Sequence, residues 1–271
     1  MDMKIRVLER GEWEFFVRVV SEAYRIKDRE MLKKIFEINL QVQEDGCLAA
    51  FLQGEPVGAG CFFIYGNIAW IGYMGVIPKY QRRGIATSIL KRILNELTER
   101  DVKTIRLDAS AAGYPLYRKF GFVEEYPTTI YEIPRIKSMR ACENVSMVKS
   151  VDEEIRAMDL KAFGADRIRA LTAWINKGAK ILKTQGGYAL LKMDNIGPVI
   201  AEDDYVAQCL IQRAFSLGYR KIIIPEGNKR AVKLISSIGG IAVHRITRMS
   251  LGEHHIEKLD KIYAILDFAK G

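Results

Sequence analysis

Residues 76–87, Val-Ile-Pro-Lys-Tyr-Gln-Arg-Arg-Gly-Ile-Ala-Thr, combine types and spacing suited to holding a phosphate or pyrophosphate. The segment reads as a strand end, a tight turn containing Gly84, and the start of a helix from Ile85 to about Arg100. A helix N-terminus presents unpaired backbone N–H groups and the positive end of the helix dipole to one region of space. An anion is suited to such a place. Gly84 permits close approach of a ligand to the backbone, Ala86 keeps the first turn open, and Arg82 and Arg83 add charge. No Gly-Lys-Ser/Thr follows Gly84, which excludes a nucleotide P-loop, and Gln81 and Arg83 stand where a dinucleotide fingerprint needs glycines. An ordinary surface loop with a basic pair is the plainer alternative.

A second segment follows one helix later. Residues 107–122 run Leu-Asp-Ala-Ser-Ala-Ala-Gly-Tyr-Pro-Leu-Tyr-Arg-Lys-Phe-Gly-Phe: a strand, a short helix bearing Tyr117, and a Gly-Phe turn into another strand. The order Gln81-x-x-Gly84-x-Ala86 after a Val-x-Pro strand end resembles the acetyl-coenzyme A pyrophosphate loop of the GNAT acetyltransferase superfamily. Residues 107–122 resemble the later motif of the same superfamily, in the same order. The resemblance implies acetyl-CoA as cosubstrate and an N-acetyltransferase acting on a primary amine by direct attack. It implies pantetheine pairing with the backbone of Met74, Gly75 and Val76, and pyrophosphate held by the amides of Arg82, Arg83, Gly84, Ile85, Ala86 and Thr87, next to Gln81. Tyr117, seven residues after Ser110, takes the place of the general acid that protonates the leaving sulfur. Ser110 stands as a cofactor contact where many members carry Asn. A packed aromatic remains the alternative for Tyr117, and a wall of the substrate pocket is the reading for Tyr114.

The general base stays open. No histidine precedes His244, so Asp108, Glu22 or a water chain are the options in the first half. Asp108, at a strand end, reads more readily as a structural cap. His254 and His255 lack ligand-type neighbours at metal spacing, so no metal site is expected. Of the aromatics Phe62, Phe63, Tyr65, Trp70 and Tyr73, most are expected in the core, with some facing a substrate cleft.

These residues require a mixed α/β layer to position them. Periodicity and turn residues predict strand 5–8, helices 12–24 and 30–38, and strands 47–53, 57–65 and 68–77. Helix 85–100, strand 104–108, a short helix at 113–120 and strand 122–132 complete the set. After a polar connector at 134–150 the same order recurs: helices 152–162 and 167–176, strands 179–183, 188–193 and 197–201, helix 203–217, strand 221–224, helix 228–237 and strand 241–249. Ungapped, Pro78 matches Pro198 and Leu90 matches Leu210; a two-residue gap then brings Gly121 onto Gly239. The repeat predicts two tandem GNAT-like domains with mixed sheets, residues 1–137 and 145–271. Residues 253–269 have helical periodicity.

The second copy is degenerate. Glu202, Asp203 and Asp204 replace Arg82, Arg83 and Gly84, and Ile235 replaces Tyr117. Carboxylates at a helix N-terminus satisfy the dipole themselves and repel a pyrophosphate. The stretch 162–167, Ala-Phe-Gly-Ala-Asp-Arg, and the turn 196–199 resemble the C-terminal domain of a tandem GNAT family that includes holothin acetyltransferases. A non-catalytic acetyl-CoA sensor or interaction module on the same fold is the rival reading, against which the intact loop and Tyr117 weigh.

With 271 residues and 49% apolar content the chain can bury two ordinary cores. No apolar run is long enough to cross a bilayer, and nothing near Met1 resembles a signal peptide, so a cytoplasmic protein is expected. Cys47, Cys61, Cys142 and Cys209 lack Cys-x-x-Cys spacing and read as free thiols in a reducing compartment. The net charge of +9 is spread: residues 1–140 carry 22 Lys/Arg against 18 Asp/Glu. A nucleic-acid role is therefore not expected. The expected partners are acetyl-CoA and an amine, as a small molecule or peptide; a homodimer is left open.

Overall fold

The computed structural model describes residues 3–135, 142, 144–255 and 257–271. The end of the expected first domain at residue 137, and residues 138–141 and 143 of the connector after it, lie outside the described residues. By its contacts the chain divides into two compact units, residues 1–107 with Lys270, and residues 108–269 with Gly271.

The first unit runs β1 (Met3–Val7), α1 (Trp13–Tyr24), α2 (Arg29–Val42), β2 (Cys47–Leu52), β3 (Glu55–Tyr65), β4 (Ile68–Val76), α3 (Ile85–Glu99) and β5 (Thr104–Ala109), whose last two residues count with the second unit. Strands β1 to β4 pair antiparallel in sequence order, and β5 joins β4 in parallel. Gly58 and Gly60 face α3 from β3. A Cβ at Gly58 would stand 2.8 Å from Ile85 Cγ2, and one at Gly60 would stand 2.8 Å from Ile89 Cγ2. Two missing side chains on one face therefore let α3 lie close, burying Ile85, Ile89, Leu90 and Ile93. Each such aliphatic chain contributes about 1.5–3 kcal/mol when fully buried.

The second unit contains α4 (Tyr114–Lys119), β6 (Val123–Glu132), β7 (Ser146–Val148), α5 (Glu153–Phe163), α6 (Ile168–Asn176), β8 (Lys180–Thr184), β9 (Gly187–Lys192), β10 (Asn195–Ala201), α7 (Asp204–Ser216), β11 (Lys221–Pro225), α8 (Lys229–Ser237), β12 (Ile241–Gly252) and β13 (Ile262–Ala264). Its strands follow the order β12-β6-β11-β10-β9-β8-β7, with β13 on β10. Strand β6 belongs to the first sequence copy, yet it pairs antiparallel with two strands of the second: Ile130 opposes Ile223 of β11 and His244 of β12. The sequence repeat and the compact units thus have different boundaries. The core of this unit gathers Leu182, Leu191, Val199, Leu210, Ile222, Ile235 and Tyr263.

The mixed α/β architecture matches the expectation from the sequence, and three local readings change. Cys142 and Cys209 form a disulfide, with Cα atoms 5.4 Å apart; only Cys47 and Cys61 are free. Their separation of 67 residues carries no local motif, so only the tertiary fold reveals the pair. Residues 253–269 are not a helix. They hold a single 3-10 turn and β13, because an unpaired stretch of β10 offers hydrogen bonds that outweigh a weak helical period. Pro198 lies inside β10, whereas Pro78 begins a 3-10 turn after β4, so that match does not preserve the element. No helix among the described residues is long and apolar enough to cross a membrane.

Candidate functional site

Strand β4 changes partners partway along its length. Ile68–Ile71 pair with Thr104–Leu107 of β5, and the parallel register ends there. On the other side the register with β3 shifts between Ala59, which opposes Gly75, and Cys61, which opposes Gly72. Tyr73 takes up the extra length with φ 54°, a left-handed backbone that bends the strand. Ile77 N–H donates to Val57 O at 3.0 Å, which makes this a hydrogen-bonded pair and, two residues back, sets Gly75 toward β3 as well. Gly75 therefore spends its amide and carbonyl on β3. The backbone groups of Met74 and Val76 point the other way. Their carbonyls accept from Tyr24 Oη (2.9 Å) and Gln81 Nε2 (3.1 Å).

Eight residues, Ile77 to Gly84, connect β4 to α3. Pro78–Tyr80 form the 3-10 turn, closed by Gln81 N–H on Pro78 O. Arg82 and Gly84 then adopt left-handed φ values of 64° and 79°, which turns successive amides toward one side. Among the described residues none accepts a hydrogen bond from the amides of Arg82 to Thr87; the first helical bond is Ser88 N–H to Gly84 O, 3.0 Å. Nothing stands within 4 Å of a Cβ built at Gly84, and Arg82 and Arg83 are exposed. The loop thus forms an amide cradle of a kind suited to an anion. A diphosphate fits its donor set, since six peptide N–H groups and two guanidinium groups complement an anion.

Two residues near this strand had no signal in the sequence. Tyr24, at the end of α1, holds the Met74 carbonyl. Lys270, which counts with the first unit, buries its ammonium over the Phe63 and Tyr73 rings, 3.4 Å from Tyr73 Oη. Neither is at a motif spacing from the loop. Of the strand aromatics, Phe62, Phe63, Tyr65 and Trp70 are buried and only Tyr73 is half-buried.

In the second unit, Tyr117 is 7% exposed and packs edge-on against Phe122 with centroids 5.8 Å apart. Gly113 makes room for it: a Cβ there would stand 3.0 Å from the Tyr117 ring. Burial pushes the Tyr117 hydroxyl above the ordinary tyrosine range, so the group stays protonated at neutral pH. Ser110 Oγ accepts from Gly113 N–H (3.3 Å), a local cap for this turn. Tyr114 donates to the Glu124 carboxylate, which raises its own pKa. Asp108, one of the options for the base, has a fully buried side chain whose carboxylate is committed. Arg248 Nη2 reaches it at 2.7 Å, Arg248 Nε at 3.2 Å, and Thr128 Oγ1 at 2.8 Å. Glu22 remains partly exposed, 3.7 Å from Arg18 Nε.

The second copy of the cradle is closed in three ways. Only Glu202 and Asp203 connect β10 to α7, so the long loop is missing. Asp203 caps the helix itself, accepting from Val206 N–H at 2.9 Å, and Asp204 is engaged by Arg230 Nε (2.9 Å) and Tyr263 Oη (2.5 Å). Finally, β10 and β11 part after Ile196 and Ile222, and the chain fills the gap with β13. Val199 opposes Ala264 on one side, and Ile265 N–H donates to Ile223 O (3.0 Å) on the other.

Known proteins resemble this chain in sequence and in fold. A sequence model described as the acetyltransferase (GNAT) family matches residues 7–122, and one described as an acetyltransferase (GNAT) domain matches residues 155–264. The uncharacterised N-acetyltransferase YitH of Bacillus subtilis (strain 168) is 31% identical over 194 residues, covering 65% of this chain and 67% of its own length. The [ribosomal protein bS18]-alanine N-acetyltransferase of Escherichia coli (strain K12) is 32% identical over 101 residues, 34% of this chain and 63% of its own. The crystal structure of a candidate acetyltransferase from Pyrococcus horikoshii superposes with a TM-score of 0.95 at 46% identity, covering 99% of this chain and 96% of that one. A tandem GNAT protein from the clavulanic acid biosynthesis pathway shares the fold, with a TM-score of 0.66 at 11% identity over 94% of this chain and 100% of that one. The chain belongs to the GNAT acetyltransferase family and is built from two GNAT domains.

Proposed function

We propose that the protein transfers acetyl from acetyl-CoA to a primary amine by direct attack, with the chemistry in the first GNAT copy, residues 1–137. The copy at 145–271 is then a retained fold without cofactor. The observation that carries this reading is the set of unpartnered amides from Arg82 to Thr87 at the N-terminus of α3. The N–H groups of Met74 and Val76 supply the edge for the pantetheine arm. In the reaction the amine nitrogen bonds to the thioester carbonyl carbon and the carbon–sulfur bond breaks. The sulfur leaves as a thiolate, and the Tyr117 hydroxyl, kept protonated by burial, gives it a proton. Asp108 takes no part as a base, since Arg248 and Thr128 hold its carboxylate. Glu22 or water receives the proton of the attacking amine. With this reading we propose a cytoplasmic location, where acetyl-CoA is available.

Free-thiol release from acetyl-CoA, screened against amines, tests the proposal. The panel should include small polyamines, aminoglycosides and a peptide with an N-terminal alanine, because the E. coli relative is named for an alanine acceptor. Turnover on one class together with one cofactor bound per chain supports it. Tight cofactor binding without turnover on any amine would favour the sensor reading instead.

A further inference from the structure

Cys47 and Cys61 face each other directly across β2 and β3. Phe62 N–H donates to Gly46 O at 2.8 Å, which makes 46 and 62 a hydrogen-bonded pair and therefore 47 and 61 a non-hydrogen-bonded one. Side chains of such pairs approach most closely, with Cα atoms typically about 4.5 Å apart, within the range that a disulfide spans. The two sulfurs are 3.2 Å apart, and Asn39 Nδ2 lies 3.8 Å from Cys61 Sγ. Both cysteines are fully buried and neither is in a disulfide.

We propose that Cys47 and Cys61 are a modification site: a reduced dithiol that a low-molecular-weight disulfide converts into a cross-strand disulfide. The Cys47 thiolate attacks the reagent's sulfur–sulfur bond, releasing one reagent thiolate and leaving a mixed disulfide. The Cys61 thiolate then attacks the Cys47 sulfur and displaces the second. The two protein protons end on the two released thiols, so the protein loses two electrons and the reagent gains them. Burial pushes the Cys61 thiol up, so the exchange proceeds through opening of the β2–β3 ladder and is slow in the closed fold. The bond would fasten β3 at the residue opposite Gly72, beside the place where β4 bends. This inference does not depend on the transferase reading.

The test uses the full chain in mixtures of reduced and oxidised glutathione, approached from both the reduced and the oxidised protein. Thiols are quenched with iodoacetamide and the 47–61 cross-link is quantified by peptide mass spectrometry. The same equilibrium is measured in urea. A bond compatible with the fold should form at least about tenfold more favourably in the folded chain than in the unfolded one, because a cross-link that fits the native state is stabilised by folding. Its melting temperature should rise by several degrees, as expected for a closed loop of this size. Cys47→Ala and Cys61→Ala should each retain one free thiol under oxidation. An equilibrium equal to or less favourable than in urea, or single-site glutathionylation without a cross-link, would overturn the proposal.

Discussion

Gln81 Nε2 donates to the carbonyl of Val76 at 3.1 Å, binding the corner of the loop to the last residue of β4. Through this bond the strand edge proposed for the pantetheine and the amides proposed for the pyrophosphate hold a fixed register. Replacing the side chain should therefore loosen both. Gln81→Ala is expected to raise the dissociation constant for coenzyme A about 2- to 10-fold, corresponding to a net hydrogen bond of about 0.5–1.5 kcal/mol. Calorimetry reads this directly.

Gly84→Glu should abolish coenzyme A binding. The substitution forces a side chain onto a left-handed backbone and adds a carboxylate where the amides converge. Asp204→Ala, in the closed second copy, should leave binding unchanged at one site per chain. A stoichiometry of two for the wild type would contradict the assignment of one working cradle.

Gly58→Ala tests packing against function. The added methyl meets Ile85 Cγ2 at 2.8 Å, at the first residue of α3, so the helix must shift. Overpacking of this kind typically costs about 1–3 kcal/mol. Cofactor affinity should fall while circular dichroism stays native. Unchanged affinity would mean that α3 tolerates the shift without moving the cradle.

Tyr117→Phe keeps the ring packed on Phe122 and removes the donor. General acid catalysis typically contributes about 100- to 10,000-fold, but a thiolate can leave without full protonation, so a decrease in kcat of at least roughly tenfold is expected. Coenzyme A binding should be nearly unaffected. Normal turnover with chemistry rate-limiting would reduce Tyr117 to a packing residue.

The buried tyrosines also set a pH dependence. Burial raises the hydroxyls of Tyr117 and Tyr188, so the folded chain holds protons that the unfolded chain releases near pH 10. Their stabilisation is complete below that pH and is lost as pH climbs through the folded values, at up to about 1.4 kcal/mol per pH unit for each group. Denaturant titrations above pH 10 should show a shallower loss in Tyr117→Phe. Equal slopes would indicate that Tyr117 titrates normally.

Asp108→Asn distinguishes a structural carboxylate from a base. Removing the carboxylate charge beside the buried Arg248 should lower stability by about 3–5 kcal/mol. The acidic limb of the pH–rate profile should not move. A displaced limb with intact stability would restore Asp108 as a base.

The cradle was legible in the sequence because its requirements are local: a glycine, a helix start and anion-pairing side chains within twelve residues. The loss of the second cradle was legible in the same way, from Glu202 and Asp203. Tyr24, Lys270 and the Cys142–Cys209 bond were not, since each depends on residues distant in the chain meeting in three dimensions. The strand β13 was misread because its apolar spacing suits a helix, and only the gap beside β10 shows what its backbone can pair with. Met74 and Gly75 could not be told apart from sequence, because the bulge at Tyr73 decides which residue faces which edge.

The placement of β6 between β11 and β12 has a consequence for how this chain can change over generations. A duplicated gene usually leaves two copies free to be separated, traded or lost. Here the copy that carries the cradle ends in a strand whose two ladders both come from the other copy. A break in the connector would leave the pieces clasped, and deletion of the second copy would strip β6 of both neighbours. The last strand of the copy with the cradle keeps its two ladder partners only while the other copy is present, so the heritable module is the pair.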